Sequence, residues 1–96
     1  MRHNLKLDAK WFDAVRSGRK KAEIRRADRA FRVGDELLLY SHDQSRALLV
    51  LVSDILALDE VPGCGCRDFV SLSVEYQREF VSTESVRAEL ELGSFS

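Results

Sequence analysis

The chain has 96 residues, of which 45% are hydrophobic and 32% charged, with a formal net charge of −1 at pH 7. This length fits one domain with a modest core, and the ordinary apolar content favours a folded chain over a disordered one. No apolar run approaches the roughly 18 residues that a membrane-spanning helix needs, and the first residues lack the apolar core of a secretion signal. We therefore expect one cytoplasmic domain, residues 1–96, with no membrane partner.

The first eighteen residues predict a strand and then a helix. Residues 3–7 alternate between polar and apolar side chains, as in a half-buried strand. Asp8 is a typical N-cap residue, and the helix is expected over residues 9–17. Gly18 should end this helix, because glycine readily adopts the left-handed conformation found there.

The helix carries two adjacent aromatic residues with different expected roles. Phe12 and Val15 share one helical face and are predicted to pack in the core. Trp11 lies beside that face and is a candidate to border a cleft, since tryptophan can stack on a nucleic-acid base.

A short strand is predicted at residues 21–25, where charged and apolar side chains alternate. We expect Ala22 and Ile24 to point into the core. The opposite face would then carry a charged row, formed by Lys21, Glu23 and Arg25.

Three more strands are predicted, at 36–40, at 47–58 with a bulge near Ser53, and at 69–75. Residues 76–81 fit no single element, and a final helix is expected from the cap at Ser82 to Leu92. The pattern predicts an α+β, mainly β domain: a curled sheet or small barrel with an N-terminal helix and a short C-terminal helix. Residues 76–96 form a possible C-terminal extension.

The positive charge is concentrated in residues 16–32, which hold eight basic and two acidic residues and so carry +6. The remainder holds seven basic and fourteen acidic residues, or −7. Such a local field attracts polyanions whatever the net charge. The candidates in this segment for contacts to the backbone of a polyanion, which would weaken with salt, are Arg16, Arg19, Arg26 and Arg32.

The two cysteines, Cys64 and Cys66, stand in a Gly-rich segment. A structural zinc site usually takes four Cys or His ligands, and His3 and His42 lie far away in sequence with no finger-like spacing. We therefore expect no metal and no cofactor.

A set of short motifs resembles the signature of ASCH domains, which belong to the PUA-like superfamily. The motifs are Gly18-Arg-Lys20, Glu23-Ile-Arg25, Asp28-Arg29 and Phe31-x-Val-Gly-Asp35. Together with His3-Asn-Leu-Lys6, they resemble a small uncharacterised branch of that superfamily from bacteria and phages.

The resemblance implies a PUA-like β-barrel with a cleft beside the first helix and a function in binding RNA or a nucleotide-like ligand. The motif positions would line that cleft. With the neighbouring Lys21, the ligand-binding candidates are Lys20, Lys21, Glu23, Arg25, Asp28 and Arg29.

An enzymatic alternative also follows from the resemblance, because one ASCH branch hydrolyses the amide of acetylated cytidine. Its motif has two threonines after Gly-Arg-Lys, and these positions are Lys21 and Glu23 here. The nucleophilic hydroxyl is thus missing. A hydrolase of a modified nucleoside or of RNA would have to use Lys20 and Glu23 as its catalytic residues.

Two further interpretations stay open. The pairs Glu23–Arg25 and Asp28–Arg29 could be solvated ion pairs that contribute only about 0–1 kcal/mol each to stability. Alternatively, the acidic C-terminal part, residues 75–91, could bind an unknown protein partner.

Overall fold

The computed structural model describes residues 1–60 and 68–93 of the chain. There the elements follow the predicted order of one strand, a short helix, four strands and a closing helix. The strands are β1 (Arg2–Lys6), β2 (Ala22–Arg26), β3 (Glu36–Tyr40), β4 (Ala47–Ala57) and β5 (Phe69–Phe80), and the helices are α1 (Phe12–Arg16) and α2 (Thr83–Gly93). Turns of 3-10 helix lie at Ala9–Trp11 and Leu58–Glu60.

The strands form one curled sheet, a half-barrel, in the order β1-β3-β4-β5-β2. β1 runs parallel to β3, whereas the other three pairs are antiparallel. β1 and β2 are therefore the two edges, yet they approach each other, because Arg25 Nη2 donates a 2.7 Å hydrogen bond to the Lys6 carbonyl. The predicted fold class, mainly β with one helix near each end, is confirmed.

The sheet buries apolar side chains on both faces. The larger cluster includes Leu37 and Leu39 of β3 together with Phe12 of α1. The smaller cluster includes Leu38 of the same strand and Val86 of α2. Since successive residues of a strand point to opposite faces, the three consecutive leucines of β3 pack alternately in the two clusters.

Local signals set the limits of α1. The Asp8 side chain accepts a 3.2 Å hydrogen bond from the Lys10 backbone N–H, which confirms the predicted cap. The predicted helix proves to be one 3-10 turn followed by five α-helical residues. Gly18 has φ of 81° and directly follows Ser17, the C-cap residue of the helix, as predicted.

The two faces of β2 are reversed relative to the prediction. Ile24 is 61% exposed and Ala22 is also exposed, whereas Glu23 is only 3% exposed and Arg25 is half-buried. Alternation determines which residues share a face, but not which face turns inward. Glu23 can turn inward because two cations compensate its charge, as described below.

The described residues from 76 onward contribute to the sheet and to its smaller core. β5 continues through the ambiguous segment to Phe80, which pairs with Ala47 of β4. The predicted cap at Ser82 is confirmed, since its Oγ accepts a 3.1 Å hydrogen bond from the Ser85 backbone N–H. Among residues 1–60 and 68–93, no helix combines the length and apolarity required to cross a membrane.

A buried polar contact links β1 to the turn before β3. His3 Nε2 lies 2.8 Å from Asp35 Oδ2, and both residues are 5% exposed. The Arg32 backbone N–H donates a 2.9 Å hydrogen bond to the same oxygen, and the N-terminal ammonium bonds the other at 3.2 Å. Burial alone would raise the pKa of Asp35, but these hydrogen bonds outweigh it and hold the pKa below the ordinary 3.8.

Substitution of Val86 tests whether α2 contributes to the stability of the domain. Val86 is fully buried, and Val86→Ala removes two methyl groups and leaves a small cavity, so the free energy of unfolding should fall by about 2 kcal/mol. Leu92→Ala on the same helix is the control, because Leu92 is 61% exposed and its loss should change stability by less than about 0.5 kcal/mol. Urea unfolding measures the stability of both variants. If Val86→Ala were as stable as the wild type, α2 would not be part of the cooperative unit.

Asp35 should make the stability depend on pH in the acid range. Because its pKa is lower in the folded protein than in the unfolded chain, the unfolded chain takes up this proton first as the pH falls. The stabilisation of the folded protein by ionised Asp35 is therefore present above about pH 4 and is lost as the pH falls below it. Asp35→Asn should cost about 2 kcal/mol near neutral pH, and its difference in stability from the wild type should shrink as the pH falls below about 4. The exposed Asp54→Asn is the control, and a pH-independent difference for Asp35→Asn would contradict this account.

Candidate functional site

An open cavity of about 460 Å³ lies where the two edge strands approach each other, beside α1. We call it the β1–β2 cavity. One wall includes Lys20, Glu23 and Arg25, and the opposite wall includes Lys6, Asp8 and Trp11. Its size falls within the range of about 300–1,000 Å³ that small-molecule sites usually have.

The centre of the β1–β2 cavity wall is a carboxylate held between two cations. Lys20 Nζ donates a 2.6 Å hydrogen bond to Glu23 Oε1, and Arg25 Nε donates a 3.1 Å hydrogen bond to Oε2. The Glu23 side chain is only 4% exposed. A buried carboxylate costs several kcal/mol of desolvation, and the two cations offset this cost.

Both cations keep hydrogen-bonding capacity toward the cavity. Lys20 Nζ also donates to the Ala22 carbonyl, which leaves one of its three donors. Within residues 1–60 and 68–93, Arg25 Nη1 donates no hydrogen bond, while Nε and Nη2 are both engaged. The two side chains are 25% and 23% exposed. Two positive charges and one negative charge therefore give this wall a net charge of +1 with free cationic donors.

Trp11 supplies an aromatic surface on the opposite wall. It is 42% exposed, whereas the adjacent Phe12 is 1% exposed and packs in the core. Lys20 Nζ lies 5.9 Å from the centre of the Trp11 ring, and Lys10 Nζ lies 5.3 Å from it. Phe12 thus packs in the core as predicted, and Trp11 borders the cavity.

The residues after α1 position Lys20. Gly18 takes the left-handed conformation and donates its backbone N–H to the Val15 carbonyl. The Lys20 backbone N–H then donates a 2.9 Å hydrogen bond to the Ala14 carbonyl. The helix end is thereby joined to the start of β2, which brings Lys20 next to Glu23 three residues later.

The structure brings together three of the six predicted ligand-binding residues, namely Lys20, Glu23 and Arg25. Asp28 and Arg29 lie outside the β1–β2 cavity wall and form an exposed ion pair of 3.6 Å with each other. Lys21 is exposed and lines a second cavity on the other side of Lys20.

The four arginines predicted to contact RNA are exposed but differ in their neighbours. Arg16 forms ion pairs with Asp13 and Glu79 at 3.4 and 3.6 Å. The guanidinium of Arg26 lies over the Phe69 ring at 5.9 Å. In the described part of the chain, three of the four have no acidic partner: Arg19, Arg26 and Arg32.

Two charged residues that line the cavity, Lys6 and Asp8, were not among the six predicted ligand-binding residues. Lys6 ends β1, and Asp8 caps the turn that follows. Their position at the end of a strand is the signal that could have identified them. Cys64 and Cys66, for which no metal role was expected, lie outside the described residues.

A search of solved structures supports the fold. The chain is similar to the crystal structure of hypothetical protein PH0355, with a TM-score of 0.59 and 17% identity over 80% of this chain and all of that one. At this identity the likeness concerns the fold alone.

A search of curated proteins found a phage relative. The chain is 37% identical over 62 residues to an uncharacterized 12.9 kDa protein in the GpA 3′ region of Escherichia phage P2. The match covers 60% of this chain and 57% of the phage protein, so it spans little more than half of that relative. A family model described as a domain of unknown function, DUF3850, matches residues 2–63, which include the whole β1–β2 cavity wall. Since this match takes in 62 of the 96 residues, the chain belongs to the DUF3850 family.

Proposed function

We propose that this chain is an ASCH-like domain of the PUA-like type that binds RNA or a nucleotide-like ligand in the β1–β2 cavity. The observation that carries the proposal is the buried Glu23 carboxylate, held between Lys20 and Arg25 in a wall that faces the half-exposed Trp11. The charge concentration in residues 16–32 supports it independently.

The chemistry of the two walls matches the two parts of a nucleotide. A flat base can stack on Trp11, an interaction that is tolerant of base identity. An anionic phosphate can accept hydrogen bonds from the remaining donors of Lys20 and Arg25, and such charge-assisted bonds are the stronger kind. Glu23 fixes both cations in place before any ligand arrives, which reduces the cost of ordering them on binding.

The position of the buried ion pairs favours a ligand site over a purely stabilising role. Buried ion pairs are weak evidence for stability, because apolar residues of similar volume often stabilise a protein equally well. Here the pairs stand at an open cavity and the two cations remain about one quarter exposed. A stabilising role alone gives no reason for donors that remain free at the cavity wall.

The unpaired arginines would add longer-range attraction. Arg19, Arg26 and Arg32 can approach phosphates outside the cavity without first giving up an acidic partner. Such contacts increase affinity with little regard to sequence and weaken as salt rises. We therefore assign the positioning of the ligand to the cavity and general attraction to these arginines.

The fluorescence of Trp11, the single tryptophan of the chain, provides a direct binding test. Short single-stranded RNA that stacks on this ring should quench its emission. Raising the salt from about 50 mM to about 200 mM should weaken binding by about twentyfold if three phosphates are contacted, one in the cavity and one each at Arg19 and Arg32. Arg19→Ala and Arg32→Ala should each lower the salt slope by about 0.7.

The matched control is Arg87→Ala, which removes an exposed arginine from α2. It should leave both affinity and salt slope unchanged. No quenching at the lowest salt by RNA or by mononucleotides would refute the proposed function.

Glu23→Gln tests whether the carboxylate holds the two cations in place. The change leaves Lys20 and Arg25 without their shared partner, and the protein should lose on the order of 3 kcal/mol of unfolding free energy. Adding Lys20→Met should recover part of the loss, because one uncompensated charge is then removed. Glu36→Gln, which alters a half-exposed pair with Arg2 at 3.5 Å, should cost less than about 1 kcal/mol. Equal losses for Glu23→Gln and Glu36→Gln would contradict the role assigned to Glu23.

The binding proposal and the hydrolase alternative differ in what they predict for the RNA after the titration. The hydrolase alternative assigns catalysis to Lys20 and Glu23, but both Glu23 oxygens already accept hydrogen bonds from cations, which favours a binding role. The binding proposal therefore predicts that RNA recovered after incubation is chemically unchanged. Cleavage or base modification by the wild type that is lost in Glu23→Gln would instead make the site hydrolytic.

A further inference from the structure

A second cavity, of about 470 Å³, lies against β4 and β5 and adjoins the first. We call it the β4–β5 cavity. Lys20 lines both cavities, so the two share this residue. The wall of the second cavity includes Lys21, Ser53, Ser73 and Tyr76.

A bulge shapes the wall of the β4–β5 cavity. The register passes from Val52 opposite Val74 directly to Asp54 opposite Ser73, so Ser53 lies opposite no residue of β5 in the strand register. The Ser53 hydroxyl donates a 3.3 Å hydrogen bond to the Ser73 carbonyl. Bulges bend a strand and redirect its side chains, and they are common beside functional sites.

The β4–β5 cavity repeats the chemistry of its neighbour. Tyr76 offers an aromatic surface that is 39% exposed. In the part of the chain that the structure describes, the Lys21 ammonium has no acidic partner, and Lys20 adds a second positive charge. Glu75 is the acidic residue of this wall, and Lys21 balances its charge, because Lys20 is already paired with Glu23. Each cavity therefore combines one exposed aromatic ring with lysine ammonium groups, and both are lined by Lys20.

We infer that the ligand is a single-stranded RNA segment of at least two nucleotides, with one base on Trp11, the neighbouring base on Tyr76 and the linking phosphate at Lys20. This inference rests on the proposed function and specifies its ligand. A single nucleotide would occupy one cavity and leave the other aromatic surface unused. A strand that occupies both gains a second stacking contact without a second loss of translational freedom.

The test compares ligand length in the same fluorescence titration. The probes are the 5′-monophosphates of adenosine, cytidine and uridine and the matching homotetranucleotides, at one low salt concentration. The wild type should bind the preferred tetranucleotide at least about tenfold more tightly than its mononucleotide. Tyr76→Ala should remove most of this advantage while leaving mononucleotide affinity unchanged, and Tyr76→Phe, which keeps the ring, should retain it.

Two further variants keep the result interpretable. Lys21→Ala alters an exposed side chain and should weaken tetranucleotide binding selectively. Gln77→Ala, an exposed neighbour of Tyr76, should have no effect. Equal affinities for mononucleotide and tetranucleotide, or a length advantage that survives both Tyr76→Ala and Lys21→Ala, would overturn the inference while leaving the proposed function intact. Absence of quenching by every probe would instead overturn both.

Discussion

The arrangement of this domain depends on one buried carboxylate between two cations. β1 and β2 are not paired by a strand ladder, and the guanidinium of Arg25 connects them by bonding both Glu23 and the Lys6 carbonyl. Lys20 connects the same carboxylate to the segment that leaves α1. The contacts that close the half-barrel are therefore the contacts that form the cavity wall, and neither can change without the other.

Much of the local structure could be predicted because its causes lie within a few residues. The cap at Asp8, the helix end at Gly18 and the cap at Ser82 depend on the conformational preferences of single residue types. The bulge near Ser53 was predicted from two polar residues within a long apolar run. Such features require no knowledge of distant neighbours, and the structure contains all of them.

The orientation of β2 could not be predicted, because it depends on partners outside the strand. The alternation correctly placed Glu23 and Arg25 on one face, but Ile24 is the more apolar side chain and was assigned to the core. The charged face can be the inner one because two cations compensate Glu23, namely Arg25 and Lys20, which the turn at Gly18 brings close. The continuation of β5 to Phe80 could not be predicted either, because its residues show no clear alternation there. The strand continues because it pairs with β4. His3 and Asp35, 32 residues apart, share a contact that no local pattern indicates.

The parallel pairing of β1 with β3 has a consequence for how the chain acquires its structure. Arg2 lies opposite Glu36, so the first strand finds its partner only after a separation of 34 residues. β3 and β4 are neighbours in sequence and can form a hairpin early, whereas long-range parallel pairing must first overcome the entropy of loop closure. We therefore expect β1 to join the sheet late during folding. The wall that holds Lys6 and Asp8 would then be completed in one of the last steps.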